Sequence, residues 1–357
     1  MTPRHVIDLN QLSKEQWMGL LKLAHDIKKH PSRYDQACRG RILATLFFEP
    51  STRTQMSFQT AMLRLGGRII GFDNPENSSV SKGESLKDTV RVVSGYADLI
   101  AMRHPMSGAP KAASLYSRVP IINAGDGGHL HPTQTLTDLF TLYEETGRLD
   151  HLCIGCCGDL MYGRTVHSLI KAMSRFEGNS FVLISTPQLG VPQYIKDRLE
   201  EKNIPYQEVN TLEEAIPMLD VLYMTRIQQE RFASEEEYMS QKGVYVLDGE
   251  KLKLAKSSLK ILHPLPRVDE ITYEVDDDPR AVYFEQTEYG MYARMALMMT
   301  LMEKHGERCL EPVPASTHDV HCTNPACITS REHYLPHLFE QKGNQLVCRF
   351  CDEPVQE

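Results

Sequence analysis

The chain has 357 residues, 41% of them hydrophobic and 24% charged, an ordinary globular composition that sets aside disorder and fibres. A formal net charge of −8 argues against nucleic acid or an anionic membrane as the main partner, and no apolar run approaches the roughly 18 residues a bilayer span needs. The N-terminal MTPRHVIDLN lacks the charged-then-apolar build of a secretory signal, so the expectation is a cytoplasmic protein with reduced cysteines.

At roughly 150 residues per domain, this length predicts two domains and a remainder. RILATLFFE (41–49), RIIGF (68–72), LIAMR (99–103) and VPIINAG (119–125) are short β-branched or apolar runs separated by amphipathic stretches. In one such stretch Phe58, Ala61, Met62 and Leu65 fall at helical spacing before Gly66 and Gly67 stop the helix. A helix around 133–145 leads to a second set: CIGCC (153–157), FVLIS (181–185), VLYM (221–224), VYVL (244–247) and KILHPL (260–265). Such βα units predict an α/β fold of two domains, 1–145 and 146–289, each a mostly parallel sheet flanked by helices. A last helix over 290–305, with Met291, Met295, Met298 and Met302 along one face, is expected to pack back onto the first domain as plain core. Residues 306–319 hold two prolines and little periodicity and read as a linker to a small module over 320–357.

The motifs that carry chemistry sit at strand ends. In FFEPSTRT (47–54) a strand ends, Pro50 turns the chain, and Ser51, Thr52, Arg53 and Thr54 open a helix. Free N–H groups at a helix start, small hydroxyls and a guanidinium make an anion site suited to phosphate; simple capping by Ser51 or Thr52 is the competing reading. NSSVSKGESLKD (77–88) offers Lys82 and Glu84 on a polar loop before a helix near Ser85, and a merely solvated loop is the plainer account. Arg103 ends an apolar strand. GDGGHLHPTQTLTDL (125–139) brings His129, His131 and Gln134, and here a polarising histidine is favoured over a metal ligand. GDLMYGRTVHSL (158–169) offers Arg164, MTRIQQER (224–231) offers Arg226 and Gln228, and HPLPRVDEI (263–271) is a proline-stiffened loop. Four arginines, a lysine and a histidine at successive strand ends of an acidic protein ask for a small, multiply anionic ligand.

The tail carries a separate signal. Cys322-Thr-Asn-Pro-Ala-Cys327 and Cys348-Arg-Phe-Cys351, twenty residues apart, have zinc-ribbon spacing, and four thiolates make a closed, structural Zn2+ site. Cys153 and Cys156 form another C-x-x-C, but residues three apart in a strand face opposite sides, so they read as core.

Residues 1–305 resemble the catalytic chains of the aspartate carbamoyltransferase family: FEPSTRT, KGE, MRHP, HPTQ, GDLxYGRTVHSL, MTRxQ and HPLPRVDEI occur in family order. The turn His263-Pro264-Leu265-Pro266, followed by Arg267, favours the aspartate enzymes over the related ornithine enzymes. The resemblance implies that Ser51, Thr52, Arg53, Thr54 and Arg103 hold the phosphate of carbamoyl phosphate. It implies that Thr54, Arg103 and His131 polarise the carbamoyl carbonyl, and that Gln134 with the backbone of Pro264 and Leu265 holds the carbamoyl amide. Arg164, Arg226 and Gln228 would grip the two carboxylates of aspartate. Lys82 would reach the site from a neighbouring subunit, which implies a homotrimer; whether Ser78 or Ser79 accompanies it stays open. No catalytic metal is implied. The tail is similar to the zinc domain of the family's separate regulatory chain, without room for the nucleotide-binding domain that precedes it there. Nucleotide feedback through that domain is therefore expected to be absent, while pairing of trimers through the zinc module stays open. Two rivals remain: a carbamoyltransferase for another amine such as ornithine, and a non-catalytic zinc-ribbon regulatory protein. The acidic residues Glu332, Glu340, Asp352, Glu353 and Glu357 make the tail a poor nucleic-acid face.

Overall fold

A computed structural model of the chain describes residues 3–77, 79–227, 234–236, 239, 243–304, 309–343 and 345–355. Two compact units emerge, one from residues 1–133 with 291–357 and one from 134–290. The chain passes between them within two helices, so the division falls some residues inside the helix near 133–145 rather than after it.

In the first unit, α1 (Lys14–Lys29) is followed by β1 (Ile42–Phe47), α2 (Thr52–Arg64), β2 (Arg68–Phe72), α3 (Leu86–Tyr96), β3 (Leu99–His104), α4 (Ala109–Ser114) and β4 (Ile121–Asp126). The four strands are parallel in the order β2-β1-β3-β4. Burial runs continuously along β1, β3 and β4, as expected where helices cover both faces of a sheet. Val6 adds a parallel bridge to Ile122 beyond β4. In α2 the predicted face is the buried one, with Phe58, Ala61, Met62 and Leu65 at 0% exposure, while Met56 and Leu63 project outward.

The second unit begins in α5 (Pro132–Thr146). It continues with β5 (Cys153–Cys157), α6 (Arg164–Met173), β6 (Ser180–Ile184), α7 (Gln193–Glu201), β7 (Tyr206–Val209), α8 (Leu212–Ala215), β8 (Val221–Met224), α9 (Gly249–Leu252) and β9 (Lys260–Leu262). Its parallel sheet has the order β7-β6-β5-β8-β9. The segment VYVL (244–247) forms no ladder strand; only Leu247 bridges, to Ile271. The closing helix α10 (Tyr283–Lys304) starts seven residues before the expected 290, and Met291, Met295, Met298 and Met302 are all buried.

The C-terminal module adds an antiparallel pair, β10 (Phe339–Lys342) and β11 (Gln345–Cys348), with four cysteines at its ends. It shares one apolar core with the rest of the first unit: Ile328, Leu335, Leu338 and Phe350 cluster with Leu86 and Val90 of α3, Ala112 of α4 and Tyr116 just beyond it. Backbone bonds seal the contact, Ser107 N–H donating to Ala326 O at 2.9 Å and Ile328 N–H to Ser107 O at 2.9 Å. At Gly108 (φ 80°) a Cβ would fall 2.5 Å from Phe350 O, so only glycine permits this approach. Ser316 and Thr317, at the end of the expected linker, are already bonded to His337 and Phe339 of the module.

Candidate functional site

Both sheets reverse their strand order once, and the reversal falls between β1 and β3 in the first unit and between β5 and β8 in the second. Beyond the carboxyl ends of the strands at such a point, open α/β sheets form their binding crevices. The two crevices hold the two halves of the sequence motifs.

In the first unit, Ser51 is the N-cap of α2 but makes no side-chain cap hydrogen bond. Capping therefore does not account for its hydroxyl. Thr52 and Arg53 are exposed, and Thr54 is buried at 8%. The N–H groups of this first turn have no intrahelical acceptors and the helix dipole is positive there. Arg103 lies alongside, because Phe47 pairs with it in register and Phe48 N–H donates to Arg103 O at 2.8 Å.

Arg103 sits at an irregularity in the β3–β4 ladder, where Met102 pairs with Asn123 but His104 with Asp126. Such a bulge re-aims side chains next to a site. The extra residue is Gly125 (φ 122°), and a Cβ there would lie 2.5 Å from an Arg103 guanidinium nitrogen and 3.6 Å from His131 Cδ2. Glycine thus lets Arg103 and His131 share one spot. The Arg103 guanidinium reaches Glu49 at 3.0 Å and Ala124 O at 3.4 Å, and its buried Nε has no hydrogen-bond partner among the described residues. Glu49 was not among the residues singled out from the sequence, although it is the acidic member of the FFEPSTRT motif.

The loop that presents His131 hangs on Asp126, which is fully buried. Its carboxylate accepts from Leu130 N–H at 2.9 Å, Gly108 N–H at 2.8 Å and Asn123 Nδ2 at 3.1 Å, and meets His129 Nδ1 at 2.9 Å. The other nitrogen of His129 meets Asp352 of the tail at 3.0 Å. Burial opposes charge on His129, but the bonds to the two carboxylates outweigh it and raise its pKa to about 9. His129 is therefore an ion-pair residue. Lys82 is exposed at the end of a short turn over Ser79–Lys82, and Glu84 accepts from Thr89 of α3 at 2.8 Å. Ser78 lies outside the described residues.

In the second unit, Arg164 opens α6 just past β5, and Arg226 follows β8 by two residues; both are half-buried. The two strand ends meet closely. At Gly158 (φ 116°) a Cβ would fall 2.2 Å from Thr225 O, and Thr225 N–H donates to Cys157 O at 2.9 Å. Gln228 lies outside the described residues. Gln134 belongs to this unit, its amide donating to Asp138 at 2.8 Å. Asp138 is a buried hub that also accepts from Tyr223 at 3.0 Å and Gln286 at 2.7 Å. Past β9, Leu265 has φ 50°, a left-handed conformation uncommon for leucine and of the kind that gathers at binding sites. His263 Nδ1 accepts from Leu265 N–H at 2.8 Å, so Nε2 bears the proton and donates to Glu270 at 2.7 Å. Arg267 is held by Asp276 and Tyr283.

The sulfurs of Cys322, Cys327, Cys348 and Cys351 all lie within 4.8 Å of one another, with 3.6 Å between Cys322 and Cys351 and 4.0 Å between Cys327 and Cys348. Sulfurs bound tetrahedrally at 2.3 Å stand about 3.8 Å apart, so this set fits a single ion, whereas a disulfide would need about 2 Å. Among the described residues no other group of three or more His, Cys, Asp or Glu could hold a metal; Cys153 and Cys156 do not. Burial lifts the Cys156 thiol to about 12, which suits an inert core residue.

Known families bear on each part. The model of the aspartate/ornithine carbamoyltransferase carbamoyl-P binding domain matches residues 4–144, and that of the Asp/Orn binding domain matches residues 150–301. The catalytic subunit of aspartate carbamoyltransferase from Clostridium kluyveri is 58% identical over 299 residues, 84% of this chain and 98% of the relative. The chain belongs to the aspartate carbamoyltransferase family. A second catalytic subunit, from Clostridium perfringens, is 58% identical over 300 residues, again 84% of this chain and 98% of the relative. The catalytic subunit of M. jannaschii aspartate transcarbamoylase superposes with a TM-score of 0.80 at 48% identity, covering 85% of this chain and 99% of that one. Aspartate transcarbamoylase from Trypanosoma cruzi, solved with N-(phosphonacetyl)-L-aspartic acid, gives 0.78 at 38%, covering 83% and 95%. The tail, residues 317–357, matches the metal binding domain of the aspartate carbamoyltransferase regulatory chain. A catalytic chain of this family thus continues into a metal-binding module of the regulatory type. Among the described residues no helix is long and apolar enough to cross a membrane.

Proposed function

We infer that the chain transfers the carbamoyl group of carbamoyl phosphate to the amine of L-aspartate, giving N-carbamoyl-L-aspartate and phosphate. The observation that carries this reading is the pairing of Arg103 and His131 across Gly125 beside the uncapped start of α2. Helix N–H groups, Ser51, Thr52, Arg53 and Thr54 suit the dianionic phosphate. Thr54, Arg103 and His131 suit the carbonyl oxygen, whose negative charge grows as the amine attacks. Gln134 and the backbone of Pro264 and Leu265 take the carbamoyl amide. Arg164, Arg226 and Gln228 take the carboxylates of aspartate, to which forked guanidinium donors are matched. The neutral amine nitrogen bonds to the carbonyl carbon, the carbon–oxygen bond to phosphate breaks, and the departing phosphate accepts the amine proton. Positioning and charge stabilisation then account for the rate.

Lys82 is assigned to a neighbouring subunit's site, within a homotrimer. The exposed Met56 and Leu63 of α2 and Ile70 of the edge strand β2 support such an interface, since apolar side chains beside an unpaired edge call for cover. The face of the tail formed by Ile328, Leu335, Leu338 and Phe350 is taken by its own chain, so pairing of trimers would need another face.

The test offers L-aspartate and L-ornithine in parallel to the purified chain and follows phosphate release. Turnover with aspartate alone is expected; turnover with ornithine alone would overturn the acceptor pocket, and turnover with neither would overturn the activity.

The metal is assigned as zinc, from four soft thiolates in tetrahedral reach. Cys322, Cys327, Cys348 and Cys351 would hold it, and the ion would supply folding energy to a module too small for a core of its own. Elemental analysis is expected to find one zinc per chain. Displacing it with a mercurial should expose the apolar face of α3 and α4, raising hydrophobic-dye binding and lowering Tm. A metal-free chain with unchanged Tm would sink this assignment.

A further inference from the structure

The tail touches the first unit at two places that matter beyond packing. Asp352, next to Cys351, holds His129; His129 holds Asp126; and Asp126 holds the N–H of Leu130, the residue before His131. Asp126 N–H also donates to Leu130 O at 3.1 Å, so the five-residue turn is closed from both sides. At the second place, Glu332 accepts from Leu86 N–H at 3.1 Å and Tyr334 Oη from Lys87 N–H at 2.8 Å. These are donors in the first turn of α3, which have no acceptors within the helix, and α3 directly follows the loop bearing Lys82 and Glu84. Lys87 also lies over the rings of Tyr116 and Tyr334, at 5.4 and 5.5 Å.

We propose that the metal-binding module is an in-chain clamp on the substrate-facing loops, with Asp352 acting as a positioning residue for His131 through His129 and Asp126. Glu332 and Tyr334 serve the Lys82 loop in the same way by fixing the start of α3. The module meets neither substrate; it limits where the loop that carries His131 can go. His129 has 12% side-chain exposure and is gripped on both ring nitrogens, so loss of one grip frees the ring to swing and the turn to relax. A displacement of about 1 Å at a group that acts on the transition state costs more in kcat than in binding.

The inference rests on the carbamoyl transfer proposed above, and the unsubstituted chain, assayed first with aspartate, tests that reading alone. In the full chain with its metal, Asp352→Ala is expected to lower kcat roughly tenfold while KM for carbamoyl phosphate stays within about twofold. Zinc content and Tm should be unchanged. His129→Gln, made on the opposite side of the contact, should do the same, and the double variant should lose no more than either single one. Lys342→Ala, which removes the other cation beside Asp352 at 3.3 Å, should leave kcat unaltered. The proposal is overturned if both Asp352→Ala and His129→Gln keep kcat within about twofold, or if their losses multiply. It is equally overturned if kcat falls only together with zinc content, for then Asp352 serves the module and not the loop.

Discussion

Arg103→Ala is expected to lower kcat/KM for carbamoyl phosphate roughly a thousandfold, about 4 kcal/mol, with the fold intact. The Arg103 side chain is only 11% exposed, stands one residue before the end of a buried strand, and at the ladder irregularity beside Gly125 reaches Glu49, two residues before Ser51. Two losses combine there. The charge and fork proposed for phosphate and carbonyl oxygen disappear, and Glu49, whose carboxylate stands 3.0 Å from that guanidinium, is left to repel the incoming dianion. Arg103→Lys should recover part of the activity, because it neutralises Glu49 but offers a point charge instead of a planar fork. Stability should suffer little, since the side chain's hydrogen bond to Ala124 O is long at 3.4 Å and its ion-pair partner Glu49 is partly exposed. Steady-state kinetics beside a melting curve decide the matter. A variant that melts normally and keeps kcat/KM within about tenfold would remove Arg103 from the chemistry.

The legible parts of this protein were the local ones. A strand end, a proline and a hydroxyl-rich helix start lie within eight residues, so FFEPSTRT is legible as a candidate anion site, and the spacing of the cysteine pairs makes their cluster legible in the same way. Strands buried on both faces were equally visible, because each is an unbroken apolar run. β7 escaped because YQEV is an edge strand whose Gln207 and Glu208 are exposed, leaving no apolar pattern. VYVL misled in the opposite way: Tyr245 and Leu247 are buried and Val244 is exposed, a strand-like alternation, yet the segment lacks a ladder. The early start of α10 was hidden because the methionine stripe begins only at Met291, two turns into the helix. Nothing local could have joined Asp352 to His129, 223 residues apart, or made Asp126 the anchor of the His131 turn. Spacing marks the tail as a module of its own, whereas the apolar core it shares with α3 and α4 joins segments too far apart in the chain for any local pattern to carry.

Arg226→Ala is expected to raise KM for aspartate roughly fiftyfold while KM for carbamoyl phosphate moves less than about twofold, because a charge-assisted bond to one carboxylate contributes about 1.5–3 kcal/mol. Arg226 follows β8 at the strand-order reversal, and Gly158 and Thr225 bring that strand end against the turn that leads to Arg164. Neither arginine belongs to the unit that holds Ser51, Arg103 and His131, so the two substrates' constants should separate. An acceptor lacking one carboxylate sharpens the test. If Arg226 holds the side-chain carboxylate of aspartate, L-alanine should be a far poorer acceptor than aspartate for the unsubstituted chain and nearly as good as aspartate for Arg226→Ala. Two changes that delete the same interaction do not add. If the discrimination survives in Arg226→Ala but vanishes in Arg164→Ala, the two guanidiniums exchange roles within the same pocket. Should it survive in both variants, the carboxylates are held elsewhere, and the acceptor site at the β5–β8 reversal is wrong.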